Sequence, residues 1–377
     1  MATIFDQAKA QIRTFKEDKE EGRVNSVPVP FPRLADKFPG WERGMYVIIT
    51  ANSGIGKTKL AKYLMITSLM RYQEINPGTE IHVRWYALEE PSSEFAISFV
   101  SIMLAVEHGI FLSPAQLKSL GSTTLTDGTL KIVEQVTDRL NKFMENVEVI
   151  DHIMNPFGIW KDVREFADSR GKFFYQKDEE SPKTQVKVGD GFNIYEPDNP
   201  KEFVFIATDH ISLLHREKAH KSDYEAIGKY SKDYCLGMMV KRLNYTVCNV
   251  QQQVSDSEKM QWNYKGQAVE AKVEPSLDGL ANNKETQRDA DMVLGIFAPT
   301  RYEISNYHGY KINPHHGGLG NAYRCVKFLK DRRYGLSDSR VHLFFDGAIN
   351  YFEELPHAKD MTDKLYDIFR KKGRISG

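Results

Sequence analysis

The chain has 377 residues, 41% of them hydrophobic and 27% charged, a balance typical of a folded globular protein with a sizeable core. Lys plus Arg and Asp plus Glu both total 51, so the net charge is zero, which neither supports nor excludes nucleic-acid binding because a groove needs only a local basic patch. Three scattered cysteines without CxxC spacing argue against a disulfide framework or a cysteine-based zinc site, and with no secretory signal and no apolar run of about 18 residues we expect a cytoplasmic protein that does not enter a membrane.

The first 44 residues precede the alternating strands and helices that the sequence predicts from residue 45 onward. Residues 1–22 predict a charged helix with a thin apolar stripe, which suits either a solvated arm or an arm that docks on a neighbouring subunit. Residues 23–44 are rich in Pro and Gly and predict a linker or loop.

From residue 45 onward, apolar strand-like runs alternate with longer amphipathic stretches. The predicted strands are 45–50, 81–88, 147–151, 203–208, 246–250 and 292–297. The predicted helices between them are 57–73, 92–107, 129–145, 156–170 and 223–243. This alternation predicts an α/β fold with a mostly parallel twisted sheet and helices on both faces. Residues 323–333 and 340–345 predict a hairpin at the sheet edge.

Two polar, turn-rich segments interrupt this pattern, 175–201 and 302–322. The first predicts an inserted hairpin or loop, and the second another excursion. The three histidines of the second segment, at positions 308, 315 and 316, match no zinc spacing. We therefore expect an arm or linker at 1–26, one α/β domain at 27–356 with these insertions, and a C-terminal helix with a basic tail at 357–377.

The most informative stretch is Ala51-Asn52-Ser53-Gly54-Ile55-Gly56-Lys57-Thr58, between a predicted strand and a predicted helix. This is the context of a phosphate-binding P-loop, although the first position of GxxxxGK[ST] is Ala51 and not Gly. Gly54 and Gly56 allow backbone N–H groups to turn toward phosphates, and the helix adds its positive N-terminal end. Lys57 is expected to reach the β- and γ-phosphates of ATP, and the Thr58 hydroxyl to ligate Mg²⁺.

Acidic residues follow two other predicted strands. Asp209 ends FVFIATD, as a Walker B aspartate that supports Mg²⁺ would. Glu89 and Glu90 follow WYAL, and a carboxylate there would lie at the edge of the sheet that holds the phosphate loop. Glu89 is the preferred general base and Glu90 the second choice.

Taken in order, these motifs resemble the motor domain of DnaB-type replicative helicases, within the RecA-like P-loop ATPases. That family tolerates Ala at the first P-loop position. The Leu88-Glu89-Glu90 stretch resembles the family's SLE element, whose glutamate activates water, and residues 150–170 resemble its D-x-x-x-x-x-P-x-E-L segment. ATDHISLL at 207–214 is similar to IDYLQLM, which supports Asp209 as the Walker B acid.

The resemblance continues toward the C-terminus. VQQQVS at 250–255 is similar to LSQLNR, which implies that Gln252 is the sensor glutamine linking nucleotide state to DNA-binding loops. Residues 275–297 resemble PSLSDLRESGxIEQDADxVLFIY. KFLKDRRYG at 327–335 is similar to KxRNG, which implies that Lys330 and Arg332 reach the γ-phosphate of the next subunit, with Arg333 less favoured.

Two departures concern the DNA grip and the accessory domain. The helical N-terminal domain used for collaring and primase binding is not seen in this sequence. The family's R-E-S-G corresponds here to Ala281, Asn282, Asn283 and Lys284, so an arginine is lost, although amide groups can still bond phosphates.

Two basic or aromatic segments are candidate DNA contacts. The first follows the Asp209 strand and contains Arg216, Lys218 and Lys221. The second, 255–284, contains aromatic residues that could stack bases and cations that could hold phosphates. Its members are Lys259, Trp262, Tyr264, Lys265, Lys272, Asn282, Asn283 and Lys284.

The implied activity is ATP hydrolysis with Mg²⁺, coupled to movement along single-stranded DNA by a homo-oligomer, expected as a hexameric ring of 5′→3′ polarity in DNA replication of a bacterial or phage-infected cell. A primase or loader is the implied protein partner. Two alternatives stay open: a filament-forming recombination or repair ATPase, and a loader or switch that binds ATP without unwinding DNA. Particle shape with an ATP analogue separates the first, and stimulation of ATPase activity by single-stranded DNA separates the second.

Overall fold

The computed structural model describes residues 3–120, 122, 124–174, 194–254 and 273–373. Strands β1–β13 are Tyr46–Ala51, Ile81–Ala87, Val147–Ile150, Gly171–Phe174, Ile194–Pro197, Phe203–Asp209, Thr246–Gln252, Met292–Phe297, Asn306–Tyr307, Tyr310–Lys311, Tyr323–Asp331, Arg340–Asp346 and Tyr351–Glu354. Helices α1–α10 are Ile4–Glu20, Pro32–Ala35, Lys57–Ile75, Ser92–His108, Pro114–Leu117, Asp127–Met144, Pro156–Asp168, Asp223–Lys229, Thr286–Asp289 and Asp363–Lys372. A π-helix, Tyr230–Val240, continues α8, and 3₁₀ turns occupy Ile211–Leu213, Pro299–Tyr302, Pro314–His316, Gly320–Ala322 and Ala358–Asp360.

The main sheet has nine strands in the order β13-β12-β11-β8-β1-β7-β6-β2-β3. The six strands from β8 to β3 are parallel, whereas β11, β12 and β13 are antiparallel to their neighbours. The central strands β1, β2 and β6 are buried along their whole length because helices cover both faces, as expected for parallel strands. The predicted mostly parallel α/β sheet is thus confirmed.

Two hydrophobic cores lie on opposite faces of the sheet. One packs α3, α4 and α6 against alternate residues such as Val47 and Ile49 of β1. The other packs α7, α8 and the π-helix against Tyr46 and Ile48 of the same strand. Because all six parallel strands run in one direction, the loops at their carboxyl ends, including 52–56 and 88–91, meet at one edge of the sheet.

The predicted hairpin of β11 and β12 exists, but it is not the sheet edge. β13 pairs with β12, from Leu343↔Glu354 to Asp346↔Tyr351, and is the outermost strand. The prediction missed β13 because its four residues, YFEE, are too short to show an alternation.

Residues 23–44, predicted as a linker or loop, form a loop that is part of the core. Val27 and Trp41 exchange backbone hydrogen bonds of 2.8 and 2.9 Å, and the Trp41 ring stacks on Phe205 of β6 at 5.5 Å. Phe31 and Phe38 are also buried. Composition misled the prediction, because Pro and Gly marked the irregular backbone while the interspersed apolar residues cover the helix-α3 face of the sheet.

The excursion at 302–322 has a small core of its own. Its buried residues, with Phe344 of the sheet and Tyr366 and Phe369 of α10, form a third hydrophobic cluster. The excursion members of the cluster are Tyr302, Ile304, Tyr307, Tyr310, Ile312, Leu319 and Ala322. The predicted C-terminal helix is therefore an anchored part of the fold.

The other insertion is described only at its base. β4 and β5 pair antiparallel from Gly171↔Pro197 to Phe174↔Ile194, as a hairpin insertion would, and residues 175–193 lie outside the described residues. At the N-terminus, α1 begins at a Thr3–Asp6 capping box, and its Phe5 and Ile12 side chains are exposed. Across the described ranges, no helix combines the length and the apolar character needed to cross a membrane.

Candidate functional site

The loop after β1 has the backbone of a phosphate-binding loop. Gly54 and Gly56 have φ of +74° and +110°, in the left-handed region that favours glycine. A Cβ at Gly56 would also lie 3.1 Å from the Phe345 ring. Helix α3 begins directly at Lys57, so its unpaired N–H groups and positive end face the loop. The predicted context of residues 51–58 is thus present, and Lys57 is buried at its base.

The two predicted Mg²⁺ ligands are in contact. Thr58 Oγ1 donates to Asp209 Oδ1 at 2.9 Å, which joins the first turn of α3 to the end of β6. Burial raises the pKa of Asp209 to about 7, against the opposing hydrogen bond from Thr58. A hydroxyl and a carboxylate are oxygen donors of the kind that Mg²⁺ prefers, so this pair fits the ion.

The two candidate bases are in different surroundings. The Glu89 carboxylate is about half exposed, and its Oε2 lies 3.8 Å from Nε2 of buried His210. Glu90 instead forms an ion pair with Lys62, whose side chain is only 2% exposed. Burial lowers the pKa of His210, and nearby Lys57 lowers it further, so His210 is neutral at pH 7. Glu89 is therefore the carboxylate that is free to meet a water molecule, and Glu90 has a structural partner.

Three consecutive glutamines, Gln251, Gln252 and Gln253, lie at the end of β7, and their side chains point to different faces of the sheet. Gln252 is in register with Ala51, and its half-buried side chain shares the α3 face of the sheet. Gln251 Nε2 donates to the carbonyls of Ala281 and Asn283 at 2.8 and 2.9 Å. Gln253 Nε2 donates to Thr50 Oγ1 at 3.0 Å and to Ser276 O at 3.1 Å. The Gln251 and Gln253 side chains thus hold the chain that follows β7, and Gln252 lies beside the phosphate loop.

Two neighbouring loops contain the candidate DNA contacts. Loop A is residues 210–222, after β6, and loop B is the described segment 273–285, after β7. Asn282 Nδ2 donates to Ser212 O at 3.2 Å, which joins the two loops. The exposed cations of the pair are Arg216, Lys218 and Lys221 in loop A and Lys284 in loop B. Of the other candidates, Lys259, Trp262, Tyr264, Lys265 and Lys272 lie outside the described residues.

Asn283 does not fit its predicted role as a side-chain contact to DNA. It is buried, its Nδ2 donates to Tyr224 O at 2.7 Å, and its Oδ1 accepts from Glu285 N at 2.8 Å. Both ends of the amide are used inside the chain, so Asn283 fixes loop B and leaves Asn282 and Lys284 at the surface.

Lys330 and Arg332 lie at the opposite end of the sheet from the phosphate loop. Arg332 N donates to Asp291 O at 3.0 Å, and Asp291 Oδ2 accepts from Tyr46 N at 2.9 Å, so Arg332 is level with the start of β1. The phosphate loop begins five residues farther along β1, roughly 17 Å away at about 3.3 Å per residue. Neither side chain can reach its own site, so any contact with a bound nucleotide has to be made in a neighbouring subunit.

The three basic side chains at the end of β11 differ in how many partners they bind within the chain. Arg333 pairs with Glu42 at 3.0 Å and Asp291 at 3.2 Å. Lys330 Nζ donates to Gln287 O and Ala290 O, and burial lowers its pKa to about 8. Arg332 is exposed and bonds only one backbone carbonyl, that of Arg288, in the described part of the chain. Arg332 is thus the most accessible of the three.

A second group of possible metal ligands lies far from this site. Glu80, His82 and Glu202 bring three ligand atoms within 4.8 Å of one another at the amino ends of β2 and β6. Arg170 bridges the two carboxylates, at 2.7 Å from Glu80 and 2.8 Å from Glu202. Because one guanidinium pairs with both carboxylates, we interpret this cluster as an ion-pair network.

Two residues near the phosphate loop were not found from the sequence. Lys62 neutralises Glu90, and Arg324 of β11 donates to Ile55 O at 2.8 Å. Arg324 is 269 residues from Ile55 and belongs to no motif, so no pattern in the sequence indicates this contact.

Solved structures with this fold are known, although no protein family and no curated protein matches the chain by sequence. The ATPase domain of G40P aligns with 93% of this chain and 98% of its own, with a TM-score of 0.64 and 17% identity. A DnaB-like replicative helicase, described with its interactions with primase, aligns with 92% of this chain and 68% of its own, with a TM-score of 0.62 and 17% identity. The RecA-like P-loop fold is thus confirmed. At this identity the likeness establishes the fold, and the activity has to be argued from the site.

Proposed function

We propose that this protein is an ATP-driven motor of the DnaB type that moves along single-stranded DNA as a ring of identical subunits. The main observation behind the proposal is the hydrogen bond between Thr58 and Asp209, 2.9 Å long, at the sheet edge that holds the phosphate loop and Glu89. A P-loop hydroxyl, a buried acid and a separate exposed carboxylate are the three groups that nucleotide hydrolysis requires of such a site.

Each of these groups has a distinct role in the proposal. Backbone N–H groups of residues 52–56 and the Lys57 ammonium bind the phosphates of ATP. Thr58 and Asp209 hold Mg²⁺, which when bound neutralises charge on the phosphate oxygens. Glu89 orients the attacking water and accepts its proton. Gln252, beside Ala51 and between two glutamines that hold loop B, is placed to relay the state of the nucleotide to that loop.

The ring is proposed because the site is incomplete in one chain. Arg332 is roughly 17 Å along the sheet from the phosphate loop of its own chain. Lys330 is level with Ile48, roughly 10 Å from the loop, and its ammonium is bound to the carbonyls of Gln287 and Ala290. A ring places the finger of each subunit at the site of the next, where a guanidinium stabilises charge that develops during phosphoryl transfer. A hexamer, 5′→3′ polarity and a role in replication are proposed from the likeness to DnaB-type motors.

The DNA track is proposed at loops A and B. The two loops follow the carboxyl ends of β6 and β7, the strands that end at Asp209 and Gln252. They contain four exposed cations and one exposed amide, and a hydrogen bond joins them. Phosphate contacts of this kind hold a strand without reading its bases. A primase or a loader is the protein partner that we propose from the same likeness, and co-elution with the assembled ring tests it.

Unwinding of a forked duplex tests the proposal directly. The full chain, Mg²⁺ and ATP should separate a duplex with two single-stranded tails, and removal of the 5′ tail should abolish the reaction. Lys57→Ala should neither bind ATP nor unwind the forked duplex. A blunt duplex is the control for spontaneous strand separation. ATP turnover that DNA stimulates without any unwinding would favour a loader or switch, and filaments in place of rings would favour a recombination ATPase.

A further inference from the structure

Arg324 is a buried cation directly behind the phosphate loop. It lies near the start of β11 with only 2% of its surface exposed. Its guanidinium donates to four neutral oxygens: Ile55 O at 2.8 Å, Asn321 O at 2.7 Å, Tyr323 O at 2.8 Å and Asn321 Oδ1 at 3.1 Å. In the described ranges, no carboxylate lies within ion-pair distance of it.

The contact with Ile55 fixes one peptide unit of the loop. Arg324 Nε donates to the carbonyl of Ile55, and the N–H of the same trans peptide unit belongs to Gly56 and points the opposite way. A donor that holds this carbonyl on the outside of the loop therefore keeps the Gly56 N–H on the inside, where phosphates bind.

Phe345 holds the same peptide unit and the guanidinium together. The Arg324 guanidinium carbon lies 4.4 Å from the centre of the Phe345 ring. The ring also packs on Gly56, at 3.1 Å from the position that a Cβ would take. Residue 56 has to be glycine for this packing, and the ring in turn limits the movement of the guanidinium.

Among the described residues, no opposite charge lies beside the Arg324 guanidinium. Burial without such a partner lowers the pKa of Arg324 to about 9. Burial also lowers the pKa of Lys59 in the first turn of α3, and nearby Lys62 and Arg324 lower it further against the opposing effect of Asp346 and Glu90. Three cations therefore lie near the loop with two carboxylates. An unpaired buried cation destabilises a folded protein, so its presence calls for an anion from outside the chain.

We infer that Arg324 is a positioning residue for nucleotide phosphates, which orients the Ile55–Gly56 peptide and is balanced in charge by the bound polyphosphate. The inference rests on the proposed ATP site and adds to it a residue from a strand on the other side of β8. It requires that removing Arg324 weakens nucleotide binding without weakening the nucleotide-free fold.

Arg324→Met tests this requirement, because methionine fills a similar space and removes both the charge and the donor. The dissociation constants of a fluorescent ATP analogue and of inorganic tripolyphosphate, both with Mg²⁺, should rise about tenfold to a hundredfold, the effect of one hydrogen bond from a charged group. The melting temperature of the nucleotide-free chain should change little, because removal of the buried charge offsets the loss of the four hydrogen bonds. Arg84→Met is the matched control, since Arg84 is also buried but pairs with Asp162 and Glu148. That variant should melt earlier and bind the analogue normally.

Binding of the analogue by Arg324→Met within twofold of the wild type would overturn the inference. If Arg324→Met does not fold, Arg324→Lys decides by the same criterion, because lysine keeps the charge but cannot reproduce the guanidinium fork. Binding by Lys57→Ala distinguishes failure of the Arg324 inference from failure of the proposed ATP site. Loss of binding in Lys57→Ala with normal binding in Arg324→Met refutes only the role of Arg324, whereas normal binding in both refutes the proposed ATP site.

Discussion

Of two adjacent glutamates at the site, one has an ion-pair partner and the other is the candidate general base. Glu89 and Glu90 follow the same strand, but buried Lys62 pairs only with Glu90. Glu89 is left half exposed beside a buried histidine. The sequence favours Glu89 as the general base from its position after the strand, and the ion pair of Glu90 gives a further physical reason for the same order.

Glu89→Gln and Glu90→Gln should therefore have different effects. Glu89→Gln should lower ATP turnover by about a hundredfold or more, the usual contribution of a general base, while ATP still binds. Glu90→Gln should keep more turnover but melt earlier, because it leaves the Lys62 charge buried without a partner. Turnover and melting temperature of both variants check this, and a larger loss of turnover in Glu90→Gln would reverse the assignment.

Asp209 should make the nucleotide-free protein less stable as the pH rises. Burial raises its pKa to about 7 in the folded chain, above its ordinary value of 3.8, so the folded state binds the proton more tightly than the unfolded state. The stabilisation is complete below about pH 4 and is lost by up to about 1.4 kcal/mol per pH unit as the pH rises toward 7.

Asp209→Asn isolates this effect from other titrations. The free energy of unfolding of the wild type, relative to that of Asp209→Asn, should decrease between pH 4 and 7. Saturating ATP and Mg²⁺ should remove the decrease, since a metal ligand stays ionised. A pH-independent difference between the two proteins would contradict the buried, protonatable aspartate.

At the scale of elements, periodicity predicted the main sheet and most of the helices that flank it. The strand before the P-loop and the strand that ends in Asp209 are continuous apolar runs, because both are covered on two faces. The ends of these two strands place Lys57, Thr58 and Asp209 at one edge of the sheet, where the end of β2 adds Glu89.

What periodicity could not predict depends on contacts between distant parts of the chain. Strand β13 is defined by pairing with β12 and not by its four residues. The excursion at 302–322 is polar and Gly-rich in sequence, yet its tyrosines are buried against α10. Arg324 contacts Ile55 only because β11 pairs with β8 in the folded chain. The sequence predicts Asn283 as a DNA contact because it cannot show that the side-chain amide binds Tyr224, a residue distant in sequence.

Loop B gives a prediction about two adjacent residues with different roles. Asn283→Ala removes two buried hydrogen bonds and should destabilise the chain by about 1–3 kcal/mol. Lys284→Ala should leave the melting temperature unchanged, weaken binding of single-stranded DNA and reduce the slope of log affinity against log salt by about one. Equal DNA affinity in Lys284→Ala and the wild type would remove loop B from the proposed track.

At the scale of the whole molecule, the separation of Arg332 from the phosphate loop makes assembly a condition for the proposed activity. In the proposed arrangement, a single chain binds a nucleotide at one end of its sheet and presents Arg332 at the other. Turnover per subunit should therefore rise with protein concentration as rings form.

Mixed rings test the shared site. Glu89→Gln subunits have a finger but no base, and Arg332→Ala subunits have a base but no finger, so each alone should lose most of its turnover. Mixing them should restore part of it, at interfaces that combine an intact base with an intact finger. A mixture no more active than its separate components would contradict a finger that acts between subunits.

The most direct test of the central claim is ATP turnover by the wild type and by Lys57→Ala, each with and without single-stranded DNA. The proposed site predicts that the wild type hydrolyses ATP, that DNA accelerates it, and that Lys57→Ala shows no turnover above background in either condition. If Lys57→Ala hydrolyses ATP as fast as the wild type, residues 51–58 do not form the nucleotide site.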